Sequence, residues 1–357
     1  MDPNVILSTE DLHVKFHLRG EILHAIRGVS LDIHKGESLA IVGESGSGKS
    51  VFTKTFLGLL DVNGYLDGGH IWFRMNDDDP DDIVDLASFQ TEKDWLRIRG
   101  RQIAMVMQDP MTSLNPLNTI GKQITETVLL HNQVSKEEAH KRAIELLTDV
   151  GIPDPERRAK QYPHEFSGGM RQRVVIAIAL ACNPRLLICD EPTTALDVTI
   201  QAQILDLIRG LQKKYHLTTI YITHDLGVVA NIADRIAVMY AGDIIEVATC
   251  EELFYDPRHP YTWALLSSLP QLGIKGEDLY SIAGTPPILH EGIVGDAFAP
   301  RNPYALEIDY IERPPFFDVS PTHKARTWLL DPRAPKVDPP EYIRKLAERR
   351  ASHARKE

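Results

Sequence analysis

Residues Gly43-Glu44-Ser45-Gly46-Ser47-Gly48-Lys49-Ser50 constrain this 357-residue chain more than any other stretch. They fit G-x-x-x-x-G-K-[ST], in which glycines let the backbone close into a concavity whose N–H groups face phosphate oxygens. Lys49 adds a point charge, and the Ser50 hydroxyl can reach Mg2+. Such a loop works only between a buried strand and a helix. The apolar run Ser38–Val42 reads as that strand and residues 51–57 as that helix, which separates the match from a flexible Gly/Ser loop. The consequence is an α/β fold built on a parallel sheet.

Around this loop, residues 6–16 and 23–33 read as strands joined by a turn at Gly20-Glu21, and residues 65–73 as a further strand. Leu12, Val14 and Phe16 alternate on one strand face. Taken alone Phe16 is a core aromatic, although its ring face would suit a nucleotide base. The acidic run 76–82 lacks the Gly and closing Glu of a calcium loop and reads as solvated. Residues 103–107 form a buried strand that delivers Gln108 to its carboxyl end, and Asp109-Pro110 turns the backbone there. Ligands of open parallel sheets bind at that edge, so the Gln108 amide is a candidate for a metal or water near the phosphates.

From about 115 to 181 the pattern becomes helical. Ser135 and Glu138 make a capping box for a helix whose apolar stripe is Ala139, Ala143, Leu146, Leu147 and Val150. A short polar helix is expected over 157–161. In Phe166-Ser167-Gly168-Gly169-Met170 a serine and two glycines open a helix running to 181, the second anion-binding helix start in this sequence. Residues 186–189 are an all-apolar strand ending in Asp190-Glu191. Two acids at the end of a buried strand suit Mg2+ held through water by Asp190, and a water oriented and deprotonated by Glu191. A polar turn through Thr193, Thr194 and Asp197 leads to a helix over 200–215, and the strand Thr218–Thr223 ends in His224-Asp225. His224 thereby follows the same strand-end rhythm as Gln108 and Glu191. Residues 232–238 and 243–247 are the last expected strands. A proline-rich boundary at 256–263 precedes a helix at 264–269; from Gly284 the sequence reads as an irregular appendage, closed by a mildly basic solvated helix over 339–357.

Composition narrows the function classes. The net charge of -11 argues against a broad nucleic-acid-binding face. Cys182, Cys189 and Cys250 are too few for a disulfide framework, which fits a reducing compartment and packing roles. The first residues carry no basic-then-apolar targeting pattern, and the longest apolar run, 174–182, is far short of a membrane span. A membrane role would have to come through a partner.

Assembled in order, these residues resemble the ATP-binding subunits of ATP-binding cassette (ABC) transporters, over roughly residues 6–330. The resemblance implies an ABC ATPase fold: a P-loop core with an antiparallel β subdomain, a helical subdomain at about 115–182 and a small irregular C-terminal extension, divided as 1–255 and 256–357. It implies a Q-loop at Gln108, a signature at 166–170, a Walker B strand ending in Asp190 and catalytic Glu191, a D-loop at Ala195-Leu196-Asp197 and a switch histidine at His224. Phe16 matches the adenine-stacking aromatic. In this family two cassettes pack head to tail, so that ATP and Mg2+ lie between the P-loop of one and Ser167, Gly168 and Gly169 of the other.

The stretches Gly36-Glu37-Ser38, Asp109-Pro110-Met111-Thr112-Ser113-Leu114-Asn115-Pro116 and His259-Pro260-Tyr261-Thr262-Trp263-Ala264-Leu265-Leu266 look like the oligopeptide and dipeptide importers. That branch implies a second ATPase subunit, commonly a different one and otherwise a copy of this chain, together with two transmembrane permeases, an extracytoplasmic peptide-binding protein and a place on the cytoplasmic membrane face. Nickel, glutathione or oligosaccharide cargo is the alternative within transport. A soluble ABC ATPase acting on nucleic acid or ribosomes is the alternative outside it; such proteins usually carry two cassettes or a long coiled coil, and neither is found here. The signature departs from the usual Leu-Ser-Gly-Gly-Gln at its first and last positions only. More consequential, many members of the branch bind an iron-sulfur cluster through four C-terminal cysteines, whereas Asp296, Asn302, Asp309 and Thr327 fill those places here, so no cluster is expected.

Overall fold

The computed structural model describes residues 1–77, 79, 81–194, 196–269, 282, 284–289 and 292–346. Two sheets organise them. The first is antiparallel, in the order β2-β1-β4-β5, from β1 (Val5–Leu18), β2 (Glu21–His34), β4 (Gly64–Arg74) and β5 (Ile83–Asp85). The second has eight strands: β3 (Ser38–Val42), β6 (Ile103–Val106), β7 (Leu186–Asp190), β8 (Thr218–Thr223), β9 (Arg235–Tyr240), β10 (Asp243–Thr249), β11 (Phe317–Ser320) and β12 (His323–Ala325), ordered β11-β12-β10-β9-β3-β8-β7-β6.

Why these runs become central strands is visible in their burial: every residue of β3 and β7 is buried, so both faces must be covered. On one face, Leu39, Ile41, Ile188, Ile220 and Ile222 join a core with Phe52 of the P-loop helix Lys49–Thr55, Phe56 at its C-cap, and the antiparallel sheet's Leu12, Ile26 and Phe73. On the other, Leu187, Cys189 and Tyr221 join a core that continues into the helices Ile120–His131, Lys136–Asp149 and Gly168–Ala179. The expected capping box at Ser135 forms, and Ala139, Ala143, Leu146, Leu147 and Val150 are all buried. Among the described residues, no helix is long and apolar enough to cross a membrane.

Register aligns the strand ends. In the parallel pairs Val42 lies opposite Thr223, Val106 opposite Cys189, and Asp190 opposite Ile222. The P-loop, Gln108, Asp190-Glu191 and His224 therefore leave the sheet at one edge, where open α/β sheets place their ligands.

Several boundaries differ from the sequence reading. The helix expected at 264–269 starts at Pro260, because a proline suits the first helical position and His259 caps it. For the same reason the polar helix expected at 157–161 runs Pro155–Arg158. The strand expected at 232–238 begins only at Arg235 and runs on to Tyr240. The segment after Gly284, read as irregular, includes β11 and β12, which extend the main sheet beyond β10. With three or four residues each, they are too short for alternation to register. Of the helix expected over 339–357, residues 341–346 are helical and 339–340 are not, while 347–357, like Ala195 and two acidic-run residues at 78 and 80, lie outside the described residues.

His259 makes part of this arrangement pH-dependent. It is fully buried, and its Nδ1 accepts from the Tyr261 N–H at 3.0 Å. Burial lowers its pKa to about 4, against the opposing pull of Glu246. Because the folded pKa lies below the unfolded value near 6.5, the unfolded protein takes up the proton first as pH falls. The stabilisation is complete above about pH 6.5 and declines toward pH 4, by up to about 3 kcal/mol. His259→Asn keeps a capping acceptor without the titration, and should flatten the dependence of Tm on pH between 4 and 6.5. An unchanged slope would remove His259 as its source.

Candidate nucleotide site

The P-loop follows β3 directly. A Cβ on Gly43 would stand 2.1 Å from the Met239 carbonyl oxygen, and one on Gly48, at φ 102°, 2.9 Å from that of Ala25, so both positions require glycine. Lys49 is buried, and its Nζ donates to the carbonyls of Gly43 and Glu44 at 2.8 Å each and to Ser47 Oγ at 3.3 Å. Burial lowers its pKa, opposed by Glu191, Asp190 and Glu44. The Glu44 side chain does not line the cleft. Its carboxylate pairs with Arg301, and its N–H donates to Tyr261 Oη at 2.9 Å. Ser47 likewise is buried within the loop.

Across the loop stand the two acids. Ser50 Oγ donates to Asp190 Oδ1 at 2.9 Å. Glu191 gathers three partners: Gln108 Nε2 donates to its Oε2 at 2.8 Å, Thr194 Oγ1 to the same oxygen at 2.9 Å, and His224 Nδ1 lies 3.1 Å from Oε1. Its own N–H donates to the Ile222 carbonyl at 2.9 Å, while its φ is 44°. A left-handed glutamate costs on the order of 1–3 kcal/mol, a strain that the surrounding strand ends must hold. The two acids are driven apart in acidity. For Asp190, burial and the nearby Glu191 raise the pKa over the opposing Ser50 bond. For Glu191, burial pulls upward but the bonds from His224 and Thr194 outweigh it, leaving the carboxyl below its ordinary range.

One cleft of about 670 Å³ runs past these groups, lined by Ser45, Gly46, Gly48, Lys49, Ser50, Asp61, Gln108, Glu191 and His224 on its polar side and by Phe16, Leu23, Ala25, Val51 and Leu289 on its apolar side. Among the described residues no group of three or more His, Cys, Asp or Glu side chains could cage a metal. The adjoining Ser50 and Asp190 oxygens instead suit Mg2+, which takes one or two protein oxygens and completes its shell with water and phosphate.

The signature lies elsewhere. Ser167 and Gly168 are exposed, Ser167 Oγ caps its helix by accepting from the Met170 N–H at 3.3 Å, and none of Ser167, Gly168 and Gly169 lines the cleft. A Cβ on Gly169 would meet Ile200 at 2.8 Å, so the signature sits against the start of the helix Val198–Tyr215. Asp197 caps that helix, accepting from the Ile200 N–H at 3.0 Å, beside the exposed Val198. Thr194, Leu23 and Leu289 are site residues that sequence reasoning missed. A hydroxyl three residues after Glu191 in a turn was a usable signal for Thr194; no local pattern marks Leu289. The four positions compared above with cluster-binding cysteines hold local turns. Asp296, Asn302, Asp309 and Thr327 are buried and accept from the N–H groups of Phe298, Tyr304, Leu306 and Leu329 at 2.9, 2.9, 2.7 and 3.3 Å.

Comparison with known proteins gives this geometry its family. Residues 26–194 match the family model described as ABC transporter, and residues 245–308 that described as oligopeptide/dipeptide transporter, C-terminal region. The protein is 59% identical over 345 residues to the oligopeptide transport ATP-binding protein AmiE of Streptococcus pneumoniae, covering 97% of this sequence and 95% of that one. It is 57% identical to the oligopeptide transport ATP-binding protein OppD of Bacillus subtilis, over 96% and 95%, and 55% identical to the dipeptide transport ATP-binding protein DppD of Lactococcus lactis, over 95% of each. Among solved structures, a dimeric ATP-binding cassette in a post-hydrolysis state with ADP and Pi superimposes with a TM-score of 0.59 at 28% identity, covering 68% of this protein and 98% of that one. The chain belongs to the ABC transporter ATP-binding proteins, within the oligopeptide and dipeptide transport family.

Proposed function

We propose that this protein is the ATP-hydrolysing subunit that powers import of oligopeptides or dipeptides through a membrane ABC transporter. The observation that carries the reading is the convergence of Gln108, Thr194 and His224 on Glu191, beside the Ser50–Asp190 pair and Lys49. Residues 1–255 act as the ATPase cassette and 256–357 as its extension.

In this reading the N–H groups of the loop residues that line the cleft, Ser45, Gly46, Gly48 and Lys49, and the Lys49 ammonium would take the phosphates, and Ser50, Asp190 and Gln108 would hold Mg2+. Bound there, the metal would supply neutralisation of phosphate charge. Glu191, kept anionic by its hydrogen bonds, accepts the proton of the attacking water; His224 and Thr194 hold its carboxylate in place and His224 senses the γ-phosphate. Phe16 offers a ring face to adenine. Ser167 and Gly168, which are exposed, and the half-buried Gly169 lie apart from the cleft and serve the nucleotide of a second cassette, with Asp197 at the same face. That second cassette is a different polypeptide, and the pair drives two transmembrane permeases from the cytoplasmic membrane face, supplied by an extracytoplasmic peptide-binding protein. The peptide class rests on what the relatives are named for, since no part of the site meets cargo.

Purification from gently solubilised membranes should recover two multi-span proteins and a second cassette, with ATPase activity rising when a peptide-loaded binding protein is added. Recovery of ribosomes or DNA, or stimulation only by a nickel- or sugar-loaded binding protein, would overturn the peptide reading.

A further inference from the structure

We propose that the extension following the cassette is a working part of the nucleotide cleft: Leu289 closes the nucleoside end, and Arg301 braces the P-loop through Glu44. The inference rests on the nucleotide reading above and extends it to residues that no phosphate or metal chemistry requires.

The cleft divides by chemistry. Its polar lining is consumed by phosphates, metal and water, which leaves the apolar lining for a flat heterocycle. That lining is Phe16 of β1, Leu23 and Ala25 of β2, Val51 of the P-loop helix, and Leu289. Leu289 is only 8% exposed, and its carbonyl accepts from the His24 N–H at 2.7 Å, so its backbone is tied to the residue next to Leu23. Such a main-chain tie holds an aliphatic wall in place without an ordering cost at binding.

Arg301 acts at the other end. Its side chain is 6% exposed and grips the Glu44 carboxylate with both terminal nitrogens, at 2.8 and 3.1 Å, while also donating to Tyr240 Oη at 3.1 Å. Tyr240, Tyr261 and Phe298 pack ring to ring with centroids 4.6–5.3 Å apart, and Tyr261 Oη accepts from the Glu44 N–H. The second residue of the P-loop is thus clamped at side chain and backbone by residues 261 and 301. Bidentate Arg–carboxylate pairs carry geometric specificity that a lysine cannot reproduce. Arg301 is a positioning residue.

The two roles separate in one set of binding measurements on the full-length protein, with Mg2+, using ATP and inorganic tripolyphosphate as probes. Leu289→Ala should weaken ATP about tenfold and leave tripolyphosphate within twofold, while Leu289→Met, which refills the space, stays near the natural protein for both. Arg301→Gln should weaken both probes alike, by about five- to tenfold, with Arg301→Lys intermediate. Unchanged ATP affinity in Leu289→Ala, or equal loss of both probes there, overturns the wall; unchanged affinity in Arg301→Gln overturns the brace. If the natural protein binds neither probe, the nucleotide reading itself falls, an outcome distinct from all of these.

Discussion

Replacing Glu191 by Gln is expected to cut ATP turnover by about 10²- to 10⁴-fold, the usual contribution of a positioned general base, while ATP still binds. The substitution keeps side-chain length and the φ of 44°, but an amide cannot accept the proton of the attacking water. Lys49, Ser50 and Asp190 are untouched, so the phosphate and Mg2+ contacts survive. With the second cassette present, hydrolysis that stalls should, on the reading proposed above, hold the two cassettes closed on ATP. Single-turnover hydrolysis alongside equilibrium ATP binding and size-exclusion analysis checks all three points. A variant that hydrolyses at the natural rate would transfer the role of base to another group, and one that loses ATP binding would mean that the acid mainly shapes the pocket.

The largest expected loss of stability comes from Glu246→Ala. Glu246 is fully buried on β10, where its carboxylate accepts from the N–H groups of Arg258 and His259 at 2.6 and 3.1 Å and meets His323 Nε2 at 2.7 Å. Removing one member of a buried, hydrogen-bonded ionic group costs roughly 3–5 kcal/mol, because the partners are left without water or acceptor. Here the orphaned groups would include two backbone donors that start the segment leading to Tyr261. Glu246→Gln retains one acceptor and should lose less. Urea unfolding of the two variants against the natural protein measures the difference; a loss below about 1 kcal/mol for the alanine variant would mean that the segment holds itself without Glu246.

How much of this was legible in the sequence depends on the range over which each residue acts. Strands β3 and β8 were readable to the residue, because buried parallel strands are short runs of apolar and β-branched residues bounded by turns. The convergence of Gln108, Asp190-Glu191 and His224 followed once those runs were taken as neighbours in a parallel sheet. Leu289 was out of reach: its place depends on a main-chain bond to His24, 265 residues earlier (289 minus 24), and nothing local to residue 289 carries that information. Glu44 shows the opposite failure. A motif position suggested a ligand contact, yet its side chain is committed to Arg301, which the motif's spacing does not contain. β11 and β12 were missed because strands of three or four residues take their conformation from their partners and not from their own pattern.

The order in which the polypeptide is made has a bearing on β10. That strand ends at Thr249, and the strand that covers its outer side ends at Ala325, 76 residues later (325 minus 249). At the usual 5–20 residues per second, the ribosome leaves the edge open for about 4–15 s. An uncovered edge strand invites pairing with a strand of another nascent polypeptide, and an acid facing inward on it is one of the ways proteins discourage this. Glu246 occupies that place, and its histidine partner arrives only with β12. The buried carboxylate that the finished fold has to accommodate is thus a guard on the unfinished one.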